Sequence, residues 1–236
     1  MRILRLIYPI LSLLAFSSCT DTYQIEGTSS VLQLDGKMLF IKMLSGNQLV
    51  NVDSSEVVHG CFKMKGSLDS AMMGALYMDD QSIMPLVLEK GKMKIQISNS
   101  HAIVKGTPMN DRLYCFVDSR NNLDMKAYEI ERKEGRMIMD GIPIEIVEQL
   151  ITRERNNLVI EMDSVAKQFI QSNYENVMGS GVFLMLGNSL PYPLLTPMME
   201  KVLEEAPNSF KQNLAVREFI EAAQLNMERL NVARSN

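Results

Sequence analysis

The hydrophobic pattern of this chain changes period once, near residue 107, and that change constrains the fold more than any other feature. From Tyr23 to Thr107, glycines at positions 27, 36, 46, 60, 66, 74, 91 and 106 break the sequence at hairpin-like intervals. Between them the side chains alternate. In the run from Lys92 to Ile97, Met93, Ile95 and Ile97 share one face and polar side chains share the other, and Phe62 and Met64 alternate with Lys63 and Lys65. One buried and one wet face indicate an antiparallel sheet. The pattern predicts strands over 23–25, 37–44, 49–58, 61–65, 72–78, 83–88, 93–97 and 102–104, closing into an antiparallel β-sandwich or a partly open barrel.

From Pro108 onward the period is helical. Leu113, Phe116, Leu123, Ala127 and Ile130 mark a first helix, with Arg120 interrupting its stripe and an extended or turn link expected over Arg136 to Gly141. A second helix of about 28 residues follows Pro143, which can sit in its first turn. A short apolar helix is expected from Gly179 to Leu186, then a non-helical Leu190-Pro191-Tyr192-Pro193 segment. Thr196 caps the next helix and Pro207 stops it. Ser209 is expected to cap the last, with Gln212 at its capping-box position. The fold class is therefore α+β: an antiparallel β domain over 19–107, then a helical region over 108–236 of about four to five helices packed on or beside it.

Residues 1–18 are set apart. Arg2 and Arg5 precede an apolar stretch from Leu6 to Phe16 that is short for a membrane span, and Ser17-Ser18 leads to Cys19. This resembles a bacterial lipoprotein signal peptide, with Phe16 where leucine is usual. The resemblance implies that Cys19 is lipidated and that the chain contacts the membrane through this N-terminal lipid, since buried acyl chains hold a protein to a leaflet. Thr20-Asp21-Thr22 lacks a lysine-plus-acidic run resembling a surface-export signal, so the expected location is the outer membrane, facing the periplasm.

Composition excludes some functions. With 24 basic and 28 acidic residues the formal charge is −4, and no basic surplus or basic cluster in the sequence suits nucleic acid as a partner. The other cysteines, Cys61 and Cys115, would lie in an oxidising compartment. They read either as one disulfide or as two buried small hydrophobes.

The order of features resembles the N-terminal domain of unknown function (number 4369 in its series) of lipoproteins in the Bacteroidota. Tyr23, Ile25 and Gly27 carry the likeness, with the strand from Leu39 to Leu44, the stretch from Val57 to Gly66, and Leu86-Val87-Leu88-Glu89-Lys90-Gly91. Its most specific part is Gly106-Thr107-Pro108-Met109-Asn110-Asp111, and the likeness runs over about residues 20–185. It implies a fold and an envelope location. In many relatives a thioredoxin-like domain with a CxxC follows. This sequence contains no CxxC, so that domain is expected to be missing and no reductase role passes to any residue here.

No catalytic, cofactor or metal constellation emerges. His59 and His101 are the only histidines, and with Cys61 they leave a metal site short of a fourth ligand. Gly179-Ser180-Gly181 lacks the pattern of a nucleophile elbow. Asp79-Asp80 are neighbours that point apart on a strand, a poor arrangement for flanking one bond. The 19 methionines fall mostly among other apolar residues and read as packing. The apolar segment from Val182 to Leu195 is the exception. Phe183, Leu190, Tyr192, Leu194 and Leu195 are more apolar surface than a small protein leaves in water, so the segment either caps the sheet or forms a docking surface. The expected function is non-catalytic binding, docking or scaffolding by a lipid-anchored envelope protein. The alternatives are an accessory subunit docked by a separate thioredoxin-like protein, and an enzyme with an unrecognised site.

Overall fold

A computed structural model describes residues 22–45 and 48–235. The signal peptide and Cys19 lie outside the described residues.

Eight strands precede the helices: β1 (Thr22–Ser29), β2 (Met38–Ser45), β3 (Gln48–Glu56), β4 (Cys61–Ser67), β5 (Met72–Met78), β6 (Gln81–Leu88), β7 (Gly91–Ile97) and β8 (Ala102–Lys105). They form two four-stranded sheets, ordered β4-β1-β7-β8 and β3-β2-β5-β6. The sheets face each other as an open sandwich, and no barrel closes. The alternation read from the sequence is present: Met93, Ile95 and Ile97 of β7 and Phe62 and Met64 of β4 are buried, and the residues between them are exposed. From the second sheet Leu39, Ile41, Leu76, Leu86 and Leu88 complete the same core. One pairing departs from the antiparallel expectation. β1 runs parallel to β7, with Ile25 beside Met93, because the chain crosses to the other sheet and back between them, a connection that lets two strands of one sheet run the same way.

The two sheets are joined by a polar bond as well as by packing. The Tyr23 hydroxyl on β1 donates to Asp53 Oδ2 on β3 at 2.7 Å. Burial pushes this hydroxyl well above the usual phenol range, and the Asp53 carboxylate adds to the effect, so it stays a neutral donor. Tyr23→Phe is expected to lower unfolding free energy by about 1.5–3 kcal/mol, the size of a hydrogen bond to a charged group. Denaturant titration of the two proteins reads it, and identical midpoints would show that the bond adds nothing.

The helices are α1 (Pro108–Met139), α2 (Ile144–Gln171), α3 (Val177–Asn188), α4 (Pro197–Glu205), α5 (Asn208–Lys211) and α6 (Leu214–Ser235). Two expectations are corrected. The link expected over Arg136 to Gly141 is a turn confined to Asp140 and Gly141 and is not extended, since α1 runs through Met139 for 32 residues. No breaker lies between 136 and 139, and the stop comes at Gly141, whose φ of +75° suits a left-handed C-cap. Gly141 N–H donates to Ile138 O at 3.1 Å and Ile142 N–H to Met137 O at 3.2 Å, the paired bonds of that cap. Nor does Ser209 cap the final helix. It lies inside α5, while Asn213 Oδ1 accepts from Val216 N at 3.3 Å and caps α6. An asparagine suits that place as well as a serine.

Along their length α1 and α2 pack on each other, held by Lys126–Glu161 at 2.8 Å and the Lys133–Glu154 and Arg155–Glu134 pairs. A second core forms where α3, α4, α5 and α6 gather around Phe183, Phe210 and Phe219, and it takes in Val87 from the outer face of β6. No helix among the described residues is long and apolar enough to cross a membrane.

Candidate functional site

The motif at residues 106–111 is a structural clasp. β6 is an edge strand, so one side of its backbone has no neighbouring strand. Asn110, fully buried at the start of α1, fills that place: its Oδ1 accepts from Val87 N at 2.9 Å and its Nδ2 donates to Val87 O at 2.7 Å. Glu89, also buried, turns its Oε1 to the first turn of α1 and accepts from Met109 N at 2.9 Å and Asn110 N at 3.0 Å. A carboxylate there meets unpaired N–H groups and the positive end of the helix. Asn110 Nδ2 also reaches Thr107 Oγ1 at 3.0 Å, and Asp111 Oδ1 accepts from Gly106 N at 3.0 Å. Among the described residues no buried side-chain polar atom is left without a partner, and the cluster's bonds hold the helix to the sheet.

The residues expected to form a docking surface are separated by the fold. Phe183 is completely buried, in edge contact with Phe210 and Phe219 at centroid distances of 5.7 and 5.8 Å. It is core and offers nothing to a partner. Leu195 packs on the same core, Leu190 and Leu194 are half-buried, and Tyr192 is exposed. The segment is held by Asn226 Nδ2, which donates to Pro193 O at 3.0 Å. An apolar run in sequence does not distinguish these fates, because Phe183 turns inward on α3 while the other four lie in the non-helical segment before α4 and are sorted by the path of the backbone.

The same α3 does cap the second sheet, and in doing so leaves a groove. Gly181 allows the helix down onto β5: a Cβ there would lie 2.2 Å from Met73 Sδ. Between the outer face of β2 and β5 on one side and α3 with the start of α6 on the other is a cleft of about 590 Å³. Its floor carries Gly74, Ala75 and Met73, and its walls carry Leu49, Leu184 and Leu214. Leu49 and Leu214 are 54% and 52% exposed, so the cleft opens to water over apolar side chains. Lys42 is the one cation among the described residues that line it. The ammonium lies 5.0 Å from the Tyr77 ring centroid and 5.8 Å from that of Phe40, and it donates to Asp79 O at 2.8 Å. Asn188, Ser189 and Asn213 add neutral polar groups. Among the described residues no histidine, cysteine or carboxylate lines the cleft, although exposed Asp80 places its Oδ1 3.5 Å from the Lys42 ammonium, so the cleft's chemistry is apolar contact with a few hydrogen bonds.

The sequence missed this site because its lining comes from six elements far apart in the chain: β5 and α3 supply most of it, and β2, β3, β6 and α6 add one or two residues each. The exposed Leu49 and the Gly181 in an apolar helix were its only local signs.

Other candidates stay apart. His59 occupies the two-residue turn between Val58 and Cys61 with φ of +50°, and His101 makes backbone bonds with Ser98 in the β7–β8 turn. Among the described residues no group of three histidine, cysteine or acidic side chains is placed to hold a metal. Asp79, at φ +53°, and the exposed Asp80 make the β5–β6 turn. Cys61 and Cys115 are free thiols and both are exposed, which corrects the disulfide and the buried-hydrophobe readings together. Cys61 opens β4 with its side chain on the outer face, and Cys115 lies on the outward side of α1, next to buried Tyr114 and Phe116.

No curated protein matches the chain. Residues 23–113, which take in nearly all of β1, the rest of both sheets and the clasped first turn of α1, match the family described as a domain of unknown function (DUF4369).

Proposed function

We propose that the protein is a lipid-anchored, non-catalytic binding protein of the cell envelope, and that the groove under α3 receives an apolar segment of a partner protein. The observation that carries this reading is the groove itself: an open apolar cleft with one cation and a few amides and hydroxyls, and no histidine, cysteine or carboxylate among the described residues that line it. Binding sites are typically concave and apolar with few polar groups. Lipidation at Cys19 supplies the anchor, as the leader sequence suggests.

The test pairs two measurements on chain isolated from cells. The mass of the peptide containing Cys19 reads the anchor, and an unmodified thiol there contradicts it. Copurification of crosslinked partners reads the groove. The double variant Leu49→Asp and Leu214→Asp places two carboxylates on exposed walls and is expected to reduce partner recovery by at least about tenfold with little change in stability. Unchanged recovery would remove the groove from the reading.

A further inference from the structure

The outward face of the β4-β1-β7-β8 sheet is strongly basic, although the chain as a whole is net negative. Strand alternation produces this face. Register places Lys65 and Lys92 on either side of Gln24, and Lys63 and Lys94 on either side of Glu26. Lys105 of β8 sits directly opposite Lys94. All five lysines are exposed. Residues 19–107 contain eight basic side chains, so five of the eight share this face, with Glu26 as its one acid. Among the described residues none of the five lysines has a carboxylate within ion-pair distance. The helices pack on the other sheet and at the β6 and β8 margins, leaving this face open.

Two ordinary explanations fall short. Lysines often protect edge strands from pairing with other chains, but β7, which carries Lys92 and Lys94, is an internal strand. Like charges directly across a strand pair cost stability, so the Lys94–Lys105 pairing works against the fold. A partner that neutralises the face would remove that cost. The chain outside the described residues indicates which partner is near. Cys19 lies three residues before Thr22, a reach of at most about 11 Å, and Thr22 opens β1 two residues before the Lys65–Gln24–Lys92 row. Lipid at Cys19 would hold this end of the face toward the headgroups, with the row at most about 18 Å of extended chain from the anchored residue.

We infer that this lysine face is a membrane-contact surface that rests on anionic phospholipid headgroups, and that it fixes the orientation of the anchored protein. The inference takes its geometry from the anchoring at Cys19 proposed above. It corrects the expectation that the chain holds no basic cluster: the lysines are dispersed in sequence over 63–105 and meet only through sheet register.

Chain isolated from cells is combined with excess vesicles of phosphatidylcholine alone or with about one third phosphatidylglycerol, and each lysine is reacted with a membrane-impermeant amine reagent. Peptide mass spectrometry reads the rate at every position. Lys63, Lys65, Lys92, Lys94 and Lys105 are expected to react about tenfold more slowly on the anionic vesicles, with full recovery in 1 M salt, where the screening length falls to about 3 Å. Lys201 and Lys211, at the far helices, keep one rate throughout. In the triple variant Lys92→Gln, Lys94→Gln and Lys105→Gln, protection of Lys63 and Lys65 is lost while the thermal midpoint stays the same or rises. Equal rates on both vesicle types, or protection of Lys63 and Lys65 that survives the triple variant, overturns the proposal. So does tighter binding to a DNA duplex than to anionic vesicles at equal ionic strength. The Cys19 peptide from the same samples reports lipidation separately, so a failed anchor and a failed face give different results.

Discussion

Asn110→Ala is expected to lower unfolding free energy by about 3–5 kcal/mol, among the largest effects of any single polar substitution in the protein. Asn110 is fully buried and serves both polar groups of Val87 on the open side of β6. Removing its amide leaves a buried N–H and a buried C=O without partners, each costing about 1–3 kcal/mol, and takes one donor from Glu89. Asn110→Asp is expected to be similarly damaging. The carboxylate still accepts from Val87 N, but it cannot donate to Val87 O and lies against Glu89. Guanidinium titration followed by circular dichroism measures both variants. A loss below about 1 kcal/mol for Asn110→Ala would mean that water replaces the amide and that the clasp contributes little. The result matters for function, because a cluster this specific in sequence invites reading as a catalytic site, and the structure accounts for it fully as the joint between the sandwich and α1.

Phe183→Ala is expected to cost about 3–5 kcal/mol, the usual range for a buried aromatic truncated in a packed core. Its ring meets Phe210 and Phe219 edge-on, and no part of it reaches water. Tyr192→Ala, nine residues on in the same apolar run, should change stability by about 0.5 kcal/mol or less, as exposed side chains do. Thermal unfolding of the pair separates the two roles. Comparable losses at both positions would mean that the Leu190–Leu195 segment is bound into the core more tightly than its exposure indicates.

Period told most of this fold. Eight strands fall where glycines and alternation put them, and α2 begins directly after Pro143 and runs 28 residues. What stayed hidden depends on contacts between distant residues. The parallel pairing of β1 with β7 follows from the path of the chain between sheets and leaves no mark on either strand. Gly135 sits on the open surface of α1 and Arg136 follows it, so a local reading breaks the helix early, while tertiary packing against α2 carries it on to Met139. The lysine face and the groove were invisible for the same reason. Lys65 and Lys92 are 27 positions apart in sequence and flank one residue in space, and Leu49 and Leu214 line one cleft only after the β3-β2-β5-β6 sheet, α3 and α6 are assembled. Cys115 illustrates the converse. Its apolar neighbours Tyr114 and Phe116 suggest burial, but on a helix adjacent residues point about 100° apart, and the cysteine takes the wet side.

The measurement that bears most directly on the groove is photocrosslinking in intact cells, with a photoreactive residue at Met185 on its wall and a control at exposed Glu204 on α4. One stoichiometric crosslinked protein is expected from position 185 and not from position 204, and it should disappear when Leu49→Asp and Leu214→Asp are added to a chain that melts at the same temperature. The same band from both positions, or a band at 185 that persists with the two aspartates in place, would contradict a partner seated in the groove.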